Sequence, residues 1–344
     1  MGANLPWLTY GCDFGASPWH PGGGLASRAN LDRVRGVLDE LARAGVEVVR
    51  WFLFCDGRSG VRFDASGRPM GPDERVAADV EAALGLVDRA GLALCPVVID
   101  FHWCLPARVE QGVRLRGRRD VLVEADKREA LLERVLAPLW RRYGGEPVIW
   151  AWDLVNEPEW VTLGFGSWNP FRAVEPECMR AFLGEAVRLA HAETRHAVTV
   201  GSACAAWLGL VRDLDLDLYQ PHWYDRLERL APFGTPVAAM GLDRPVVLGE
   251  FPTRGSARDI PTLLDAARRA GYAGAFAWSA LAEDSASDHI AAVEQLAAWR
   301  ARASAPAAID GTAPSSPHAF FASSKRPGRA PTPSGSRSPA EPSP

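Results

Sequence analysis

Residues 147–158 read PVIWAWDLVNEP, a nearly continuous apolar run that ends at Asn156 and Glu157. Two further runs have the same form, ALCPVVID at 93–100 and RPVVLGE at 244–250. Apolar runs of this length are typical of parallel strands that are covered on both faces. Each run ends in a carboxylic acid or leads directly into one. The pattern therefore predicts buried parallel strands that carry acidic groups at their carboxyl ends.

Eight short β-rich runs recur along the chain, and segments with helical periodicity separate them. We predict strands at Leu8–Phe14, Glu47–Phe52, Ala93–Phe101, Val148–Val155, Ala197–Gly201, Leu218–Trp223, Pro245–Glu250 and Ala273–Ser279. Alternating strands and helices indicate a parallel sheet, and eight units favour closure into a (β/α)8 TIM barrel. The alternative is an open, doubly wound sheet, but the glycine-rich run at 21–24 lacks the GxGxxG spacing of such a fold's phosphate loop. We therefore predict an α/β barrel that forms a single domain over residues 1–304.

The predicted helices carry apolar stripes at helical spacing. For the first helix, Asn30 is the expected N-cap, and Gly45 follows its end. The stripes are Leu31, Val34, Leu38 and Leu41; Val76, Val80, Ala83 and Val87; Leu131, Val135 and Leu139; and Ile290, Val293 and Leu296. The loops that follow strands are long, notably 57–72, 105–125 and 159–176. Since active sites of such barrels are built from these loops, we expect the site at the carboxyl ends of the strands.

The composition is that of an ordinary globular protein, with 344 residues, 47% hydrophobic and 23% charged, and a net charge of −4. This charge predicts neither a nucleic acid nor a membrane partner. No run approaches the ~18 apolar residues of a membrane helix. The first residues lack the basic and apolar regions of a signal peptide. We expect a monomer in the cytoplasm, with secretion by a non-standard route left open.

Six cysteines show no CxxC pair and no zinc-ligand spacing, so we predict no metal and no cofactor. A disulfide such as Cys55–Cys104 stays open at this point. From about Ala305 the chain is rich in Pro, Ser, Ala and Arg. Such a composition buries too little apolar surface to order itself, so we predict a disordered tail over residues 305–344.

Polar residues whose side chains could take part in catalysis or binding cluster where the predicted strands end. They are Arg50, Asp100, His102, Asn156, Glu157, His222, Tyr224, Glu250 and Trp278. One buried carboxylate on its own is more simply explained as a satisfied structural charge. So many polar groups at one end of a barrel indicate a functional site.

Cleavage of a glycoside needs two carboxyl groups beside one bond, one protonated and one ionised. Strands four and seven lie across the barrel mouth from each other, which can bring Glu157 and Glu250 to the ~5–5.5 Å separation of retaining enzymes. Arg50 can hold one carboxylate ionised, while a less compensated environment raises the pKa of the other. The residues alone do not say which Glu has which role.

These motifs, including DFH at 100–102, NEP at 156–158 and HWY at 222–224, resemble glycoside hydrolase family 5, the cellulase/β-mannanase family of clan A. The resemblance spans roughly residues 10–279 and holds in strand order. It implies that Glu157 is the general acid/base and Glu250 the nucleophile. It also implies substrate-binding or orienting roles for Arg50, His102, Asn156, His222, Tyr224 and Trp278.

The implied activity is retaining hydrolysis of a β-linked glucan or mannan, with an oligo- or polysaccharide as the partner. Two alternatives stay open, an exo-acting β-glycosidase of another clan A family and a non-catalytic carbohydrate-binding barrel. The chain also has 13 tryptophans, for which core packing and sugar stacking are both plausible roles. Candidates for further sugar subsites are Trp103, Trp160, Trp168, Trp207 and Trp223.

Overall fold

The computed structural model describes residues 1–21 and 24–304, which form a barrel of eight parallel strands. The barrel strands are β1 (Gly2–Asn4), β2 (Val48–Phe52), β3 (Ala93–Asp100), β4 (Ala151–Asn156), β5 (Ala197–Ser202), β6 (Gln220–Pro221), β7 (Val247–Pro252) and β8 (Gly274–Trp278). Neighbouring strands pair in the order β6-β5-β4-β3-β2-β1-β8-β7. Single parallel bridges, Tyr219 to Val246 and His222 to Glu250, link β6 to β7 and close the ring. The predicted TIM barrel is confirmed. The predicted tail lies outside the described residues.

Helices pack around the barrel over most of its circumference. They are α1 (Arg28–Arg43), α2 (Val76–Arg89), α3 (Arg119–Val123), α4 (Ala125–Leu131), α5 (Ala137–Tyr143), α6 (Pro176–Glu193), α7 (Ile260–Ala270) and α8 (His289–Ser304). A π-helical turn at Leu132–Leu136 joins α4 to α5. In the connections β5–β6 and β6–β7, the described residues form only short 3-10 helices, at Ala205–Leu210, Asp225–Leu227 and Val237–Met240. Helical periodicity therefore does not recur in all eight units as predicted. None of the described helices is long and apolar enough to cross a membrane.

The prediction for the first strand was wrong. Residues 8–14 form turns, whereas β1 lies at residues 2–4 and pairs with β2 and β8. The cause is Asp13, whose buried carboxylate accepts the backbone N–H groups of Leu8 and Thr9 at 2.6 and 2.8 Å and the indole N–H of Trp51 at 2.9 Å. These bonds fold the segment over the barrel mouth.

The prediction for the start of α1 was also wrong by one turn. The N-cap is Ser27, and Asn30 lies inside the helix, where its side-chain amide donates to the carbonyl of Gly24 at 2.9 Å. The predicted end is confirmed, because Gly45 follows the helix with a φ of +84°. A left-handed residue after a helix is a common stop signal, and glycine adopts it without steric cost.

The interior of the barrel is layered, and the layers explain where the polar groups lie. The lower layer is apolar and contains Val48, Cys95, Ala151, Ala197, Leu218, Val247 and Phe276. Two residues further along β2 and β4, on the same inward face, lie Arg50 and Asp153. Polar groups thus begin directly above a sealed apolar floor. All six cysteines are free thiols, so the Cys55–Cys104 disulfide is not formed.

Candidate active site

Arg50 lies at the centre of the site and is fully buried. Its guanidinium donates to Asp153 at 2.9 Å, Asn4 at 2.9 Å, Glu250 at 2.8 Å and Asn156 at 2.7 Å. Burial alone lowers the pKa of Arg50, but the carboxylates of Asp153 and Glu250 outweigh it and raise the pKa. A cation with this many partners fixes the side chains of four strands in one arrangement.

Glu250 ends the apolar run of β7 and is held by two strong donors. Its Oε1 accepts from Arg50, and its Oε2 accepts the hydroxyl of Tyr224 at 2.6 Å. Burial raises the pKa of Glu250, and the charge of Arg50 and the hydrogen bond from Tyr224 act against that rise. The Arg50 and Tyr224 donors favour the ionised form, which is the form that a nucleophile needs.

Glu157 follows β4 in a left-handed backbone conformation, with φ of 50° and ψ of 49°. Its Oε1 lies 2.9 Å from Nδ1 of His222, and its Oε2 accepts the indole N–H of Trp160 at 2.9 Å. Burial, with a further contribution from the charge of Asp100, raises the pKa of Glu157 to about 7. The left-handed conformation is uncommon for a residue with a Cβ and is typical of functional sites.

His222 lies between the two acids. Its Nδ1 is 2.9 Å from Glu157 and 3.5 Å from Glu250, and burial lowers its pKa to about 4. The ring is therefore neutral at neutral pH, and it adds no charge between the carboxyl groups. One oxygen of each acid and one ring nitrogen of His222 all lie within 4.8 Å of one another. This closeness agrees with the separation of carboxyl groups in retaining glycosidases.

The same three residues have the types and spacing that a metal ion would require. Their surroundings differ from those of a metal site, because Glu250 already accepts bonds from a guanidinium and a phenol. A metal ion here would lie beside the buried guanidinium of Arg50, which already pairs with Glu250 at 2.8 Å and would repel a second cation. The arrangement therefore suits acid–base and nucleophilic chemistry better than metal binding.

A cleft of about 280 Å³ opens above the two acids at the carboxyl end of the barrel. Six of the eight predicted site residues line it: His102, Asn156, Glu157, Tyr224, Glu250 and Trp278. The other two, Arg50 and His222, lie buried beneath and contact the acids directly. All eight predicted residues are thus brought together.

Aromatic side chains form one wall of this cleft. Trp278 stands edge-on to Trp7 and Phe52, with ring centroids 6.0 and 6.3 Å apart, and its indole N–H donates to Asp284 at 2.9 Å. Flat apolar faces of this kind stack against the C–H faces of sugars. Tyr10 also lines the cleft, and its hydroxyl forms a hydrogen bond of 3.0 Å with Nδ1 of His102.

Several contributors to the site were not predicted. Asn4 was missed because β1 was placed too late in the sequence. Asp153 was missed because it lies within an apolar strand. The signal that could have identified it is its position two residues after Ala151, which places its carboxylate on the inward face of β4. Trp160 was predicted only as a possible sugar contact, and its bond to Glu157 depends on a turn that the sequence does not reveal.

Comparison with known proteins finds similar sequences and similar folds. No protein-family model matches the chain. A mannan endo-1,4-β-mannosidase of Mytilus edulis is 24% identical over 317 aligned positions, which cover 81% of this chain and 82% of that protein. The crystal structure of an endo-1,4-β-mannanase from Eisenia fetida superposes with a TM-score of 0.71 at 20% identity, covering 86% of this chain and 89% of that one. The β-mannanase structure from Mytilus edulis gives 0.69 at 22% identity, with coverages of 86% and 90%.

The barrel, the facing acids and these relatives define the class of the protein, which is an O-glycosyl hydrolase that cleaves β-linked glycans with retention. Within that class, the chain is similar to mannan endo-1,4-β-mannosidases in sequence and to β-mannanases in fold.

Proposed function

We propose that the protein is an endo-acting β-1,4-mannanase in which Glu157 is the general acid/base and Glu250 the nucleophile. The contrast between the two acids carries this proposal. Glu250 accepts from a guanidinium and a phenol, whereas Glu157 accepts only from an indole N–H and contacts a neutral imidazole. Two carboxyl groups whose environments separate their protonation states are what acid and nucleophile roles require.

In the first step, ionised Glu250 attacks the anomeric carbon while Glu157 donates its proton to the leaving oxygen. The glycosidic bond breaks and a covalent ester to Glu250 forms. In the second step, Glu157, now ionised, removes a proton from water, which attacks the same carbon and releases Glu250. Two inversions give net retention. Arg50 and Tyr224 hold Glu250 in place during attack, since their bonds fix both of its oxygens.

The substrate part of the proposal rests on the relatives, two of which carry the name mannan endo-1,4-β-mannosidase. The amide of Asn156 lies between Arg50 and Asp100 at the cleft floor, at 2.7 Å from each. Its orientation is therefore fixed before the substrate binds. Such preorganisation is needed for a group that hydrogen-bonds a sugar hydroxyl next to the bond that is cleaved.

The roles are tested by replacing each acid with alanine and adding azide. With an activated aryl β-mannoside, Glu157→Ala with azide should give the β-mannosyl azide, since Glu250 still forms the covalent intermediate. Glu250→Ala with azide should give the α-mannosyl azide, because azide then attacks from the face that Glu250 vacates. Each variant alone should lose about 10³-fold or more in mannan hydrolysis.

Glu159→Gln is the matched control, because Glu159 is a fully buried acid two residues from Glu157 that does not line the cleft. It should retain hydrolysis. If Glu157→Ala gave the α-azide and Glu250→Ala the β-azide, the two roles would be reversed. Full activity of both alanine variants would disprove the site. Release of mixed oligosaccharides from mannan supports endo action, whereas mannose alone would indicate the exo alternative.

A further inference from the structure

Two residues outside the eight predicted site residues lie next to Glu157: Trp160 contacts it directly, and Asp100 contacts the preceding residue, Asn156. Trp160, on the 3-10 turn Pro158–Val161, donates its indole N–H to Oε2 of Glu157 at 2.9 Å. Asp100 ends β3, in register with Asn156, the residue before Glu157. Both Asp100 and Glu157 line the cleft.

We propose that Asp100 and Trp160 are positioning residues that act on Glu157 in opposite directions: the Asp100 carboxylate favours the protonated form of Glu157, and the Trp160 indole N–H favours the ionised form. The inference rests on the proposed role of Glu157 as general acid/base. An acid/base must donate a proton in one step and take one back in the next, so neither form can be too stable.

The carboxylate of Asp100 is held in place by neighbouring donors. The carboxylate is only 4% exposed, yet it accepts the side-chain N–H of Asn156 at 2.7 Å and the backbone N–H of His102 at 2.8 Å. It also forms an ion pair with the ring of His102, and the pKa of His102 is raised despite burial because of Asp100. A negative charge held this way opposes a second one nearby.

Trp160 is suited to the opposite effect because an indole N–H is a donor only. It stabilises a carboxylate and offers no acceptor for a carboxylic acid proton. The ring is held edge-on to Trp207, with centroids 5.1 Å apart, which fixes the direction of the N–H bond. Gly166 packs against the same ring, where an added Cβ would lie 2.6 Å from it.

Other groups around Glu157 do not reproduce this opposition. His222 is neutral, and the cations Arg50 and Arg226 lower the pKa of Glu157 less than the Trp160 hydrogen bond does. The charged and titratable groups on the surrounding elements are Arg50 on β2, Asp100 and His102 at the end of β3, Glu159 after β4, His222, Tyr224 and Arg226 at and after β6, Glu250 on β7 and Asp284 after β8.

The test is the pH dependence of kcat/KM, whose alkaline limb reports the proton on the free enzyme's general acid. Asp100→Asn should move this limb to lower pH by about one unit, because Glu157 then ionises more easily. Trp160→Phe should move it to higher pH by a similar amount. Asp100→Glu keeps the charge and should restore most of the wild-type position. Trp299→Phe, which removes an indole N–H bond to Asp265 on α7, should leave the limb in place, because neither residue lines the cleft.

The Asp100→Asn substitution also removes the partner of His102. The choice of substrate must therefore distinguish a pH effect that comes from Glu157 from one that comes from His102. We would compare a 4-nitrophenyl with a 2,4-dinitrophenyl β-mannobioside, since the second leaving group departs without a proton. A limb that belongs to Glu157 appears only with the first substrate, whereas one that belongs to His102 appears with both. Thermal unfolding of each variant at one pH shows that the fold is retained.

Opposite shifts that vanish with the activated substrate support the inference. Shifts of the same sign, no shift, or a change in KM alone would overturn it and leave Trp160 as a substrate contact. These outcomes are distinct from failure of the proposed function, in which Glu157→Ala would retain hydrolysis of the 4-nitrophenyl substrate.

Discussion

At the scale of single residues, the site works through hydrogen bonds that select one protonation state. Tyr224 is the clearest case, since its hydroxyl donates to Oε2 of Glu250 at 2.6 Å. Burial and the charge of Glu250 raise the pKa of Tyr224 well above its usual range, so the phenol stays protonated and donating. The bond lowers the pKa of Glu250 against the effect of burial.

Tyr224→Phe removes this bond and keeps the ring. We expect kcat to fall about 10- to 100-fold, since a hydrogen bond to a charged group contributes about 1.5–3 kcal/mol. Because the pKa of Glu250 then rises, the acid limb of kcat/KM should move to higher pH. Tyr219→Phe is the control, because Tyr219 donates to Asp243, which does not line the cleft. An unmoved acid limb with reduced kcat would mean that Tyr224 only shapes the cleft.

Residue patterns predicted part of this chemistry and missed the rest for a physical reason. Glu157 and Glu250 were predicted because an acid that ends an apolar strand is a local signal. The partners Asn4 and Asp153 contact Arg50 only after three strands have come into register, which local sequence does not specify. The turns at residues 8–14 likewise depend on bonds to Asp13.

At the scale of elements, the barrel strands must approach closely enough for Arg50 to span them. Gly201 on β5 permits this approach. A Cβ at Gly201 would lie 2.5 Å from Nη2 of Arg50, 2.9 Å from Oδ2 of Asp153 and 3.1 Å from Nε2 of His222. Only a glycine avoids these clashes inside the barrel. Its backbone N–H also donates to Asp153 at 2.9 Å.

Gly201→Ala should therefore displace the Arg50–Asp153 pair. We expect a loss of about 1–3 kcal/mol in unfolding free energy and a fall in kcat, measured by urea unfolding and mannan hydrolysis. Gly184→Ala on α6 is the matched control, because its Cβ would meet neighbours only at 3.5 Å and beyond. It should stabilise the helix by about 0.5–1 kcal/mol. Equal behaviour of the two variants would show that the barrel interior tolerates a methyl group.

At the scale of the whole molecule, burial of acids links stability to pH. Glu159 belongs to the Pro158–Val161 turn, its side chain is fully buried, and its Oε2 accepts the backbone N–H of Ala203 at 2.9 Å. Burial raises its pKa to about 8, well above the 4.5 that is ordinary for a glutamic acid in water. Between these two values the folded protein holds a proton that the unfolded chain releases. A rise in pH therefore favours unfolding.

Glu159→Gln removes this titration while keeping the size of the side chain. As pH rises from 6 to 8, wild type should lose stability relative to the variant by about 1.4 kcal/mol per pH unit. The difference should level off above about pH 8, where the folded protein also releases the proton. Urea unfolding at closely spaced pH values measures it. His222 and Glu157, whose pKa values in the folded state are about 4 and about 7, also link stability to pH, but they are present in both proteins and their contributions cancel in the difference. Curves that stay parallel from pH 6 to 9 would show that Glu159 is ionised in the folded barrel.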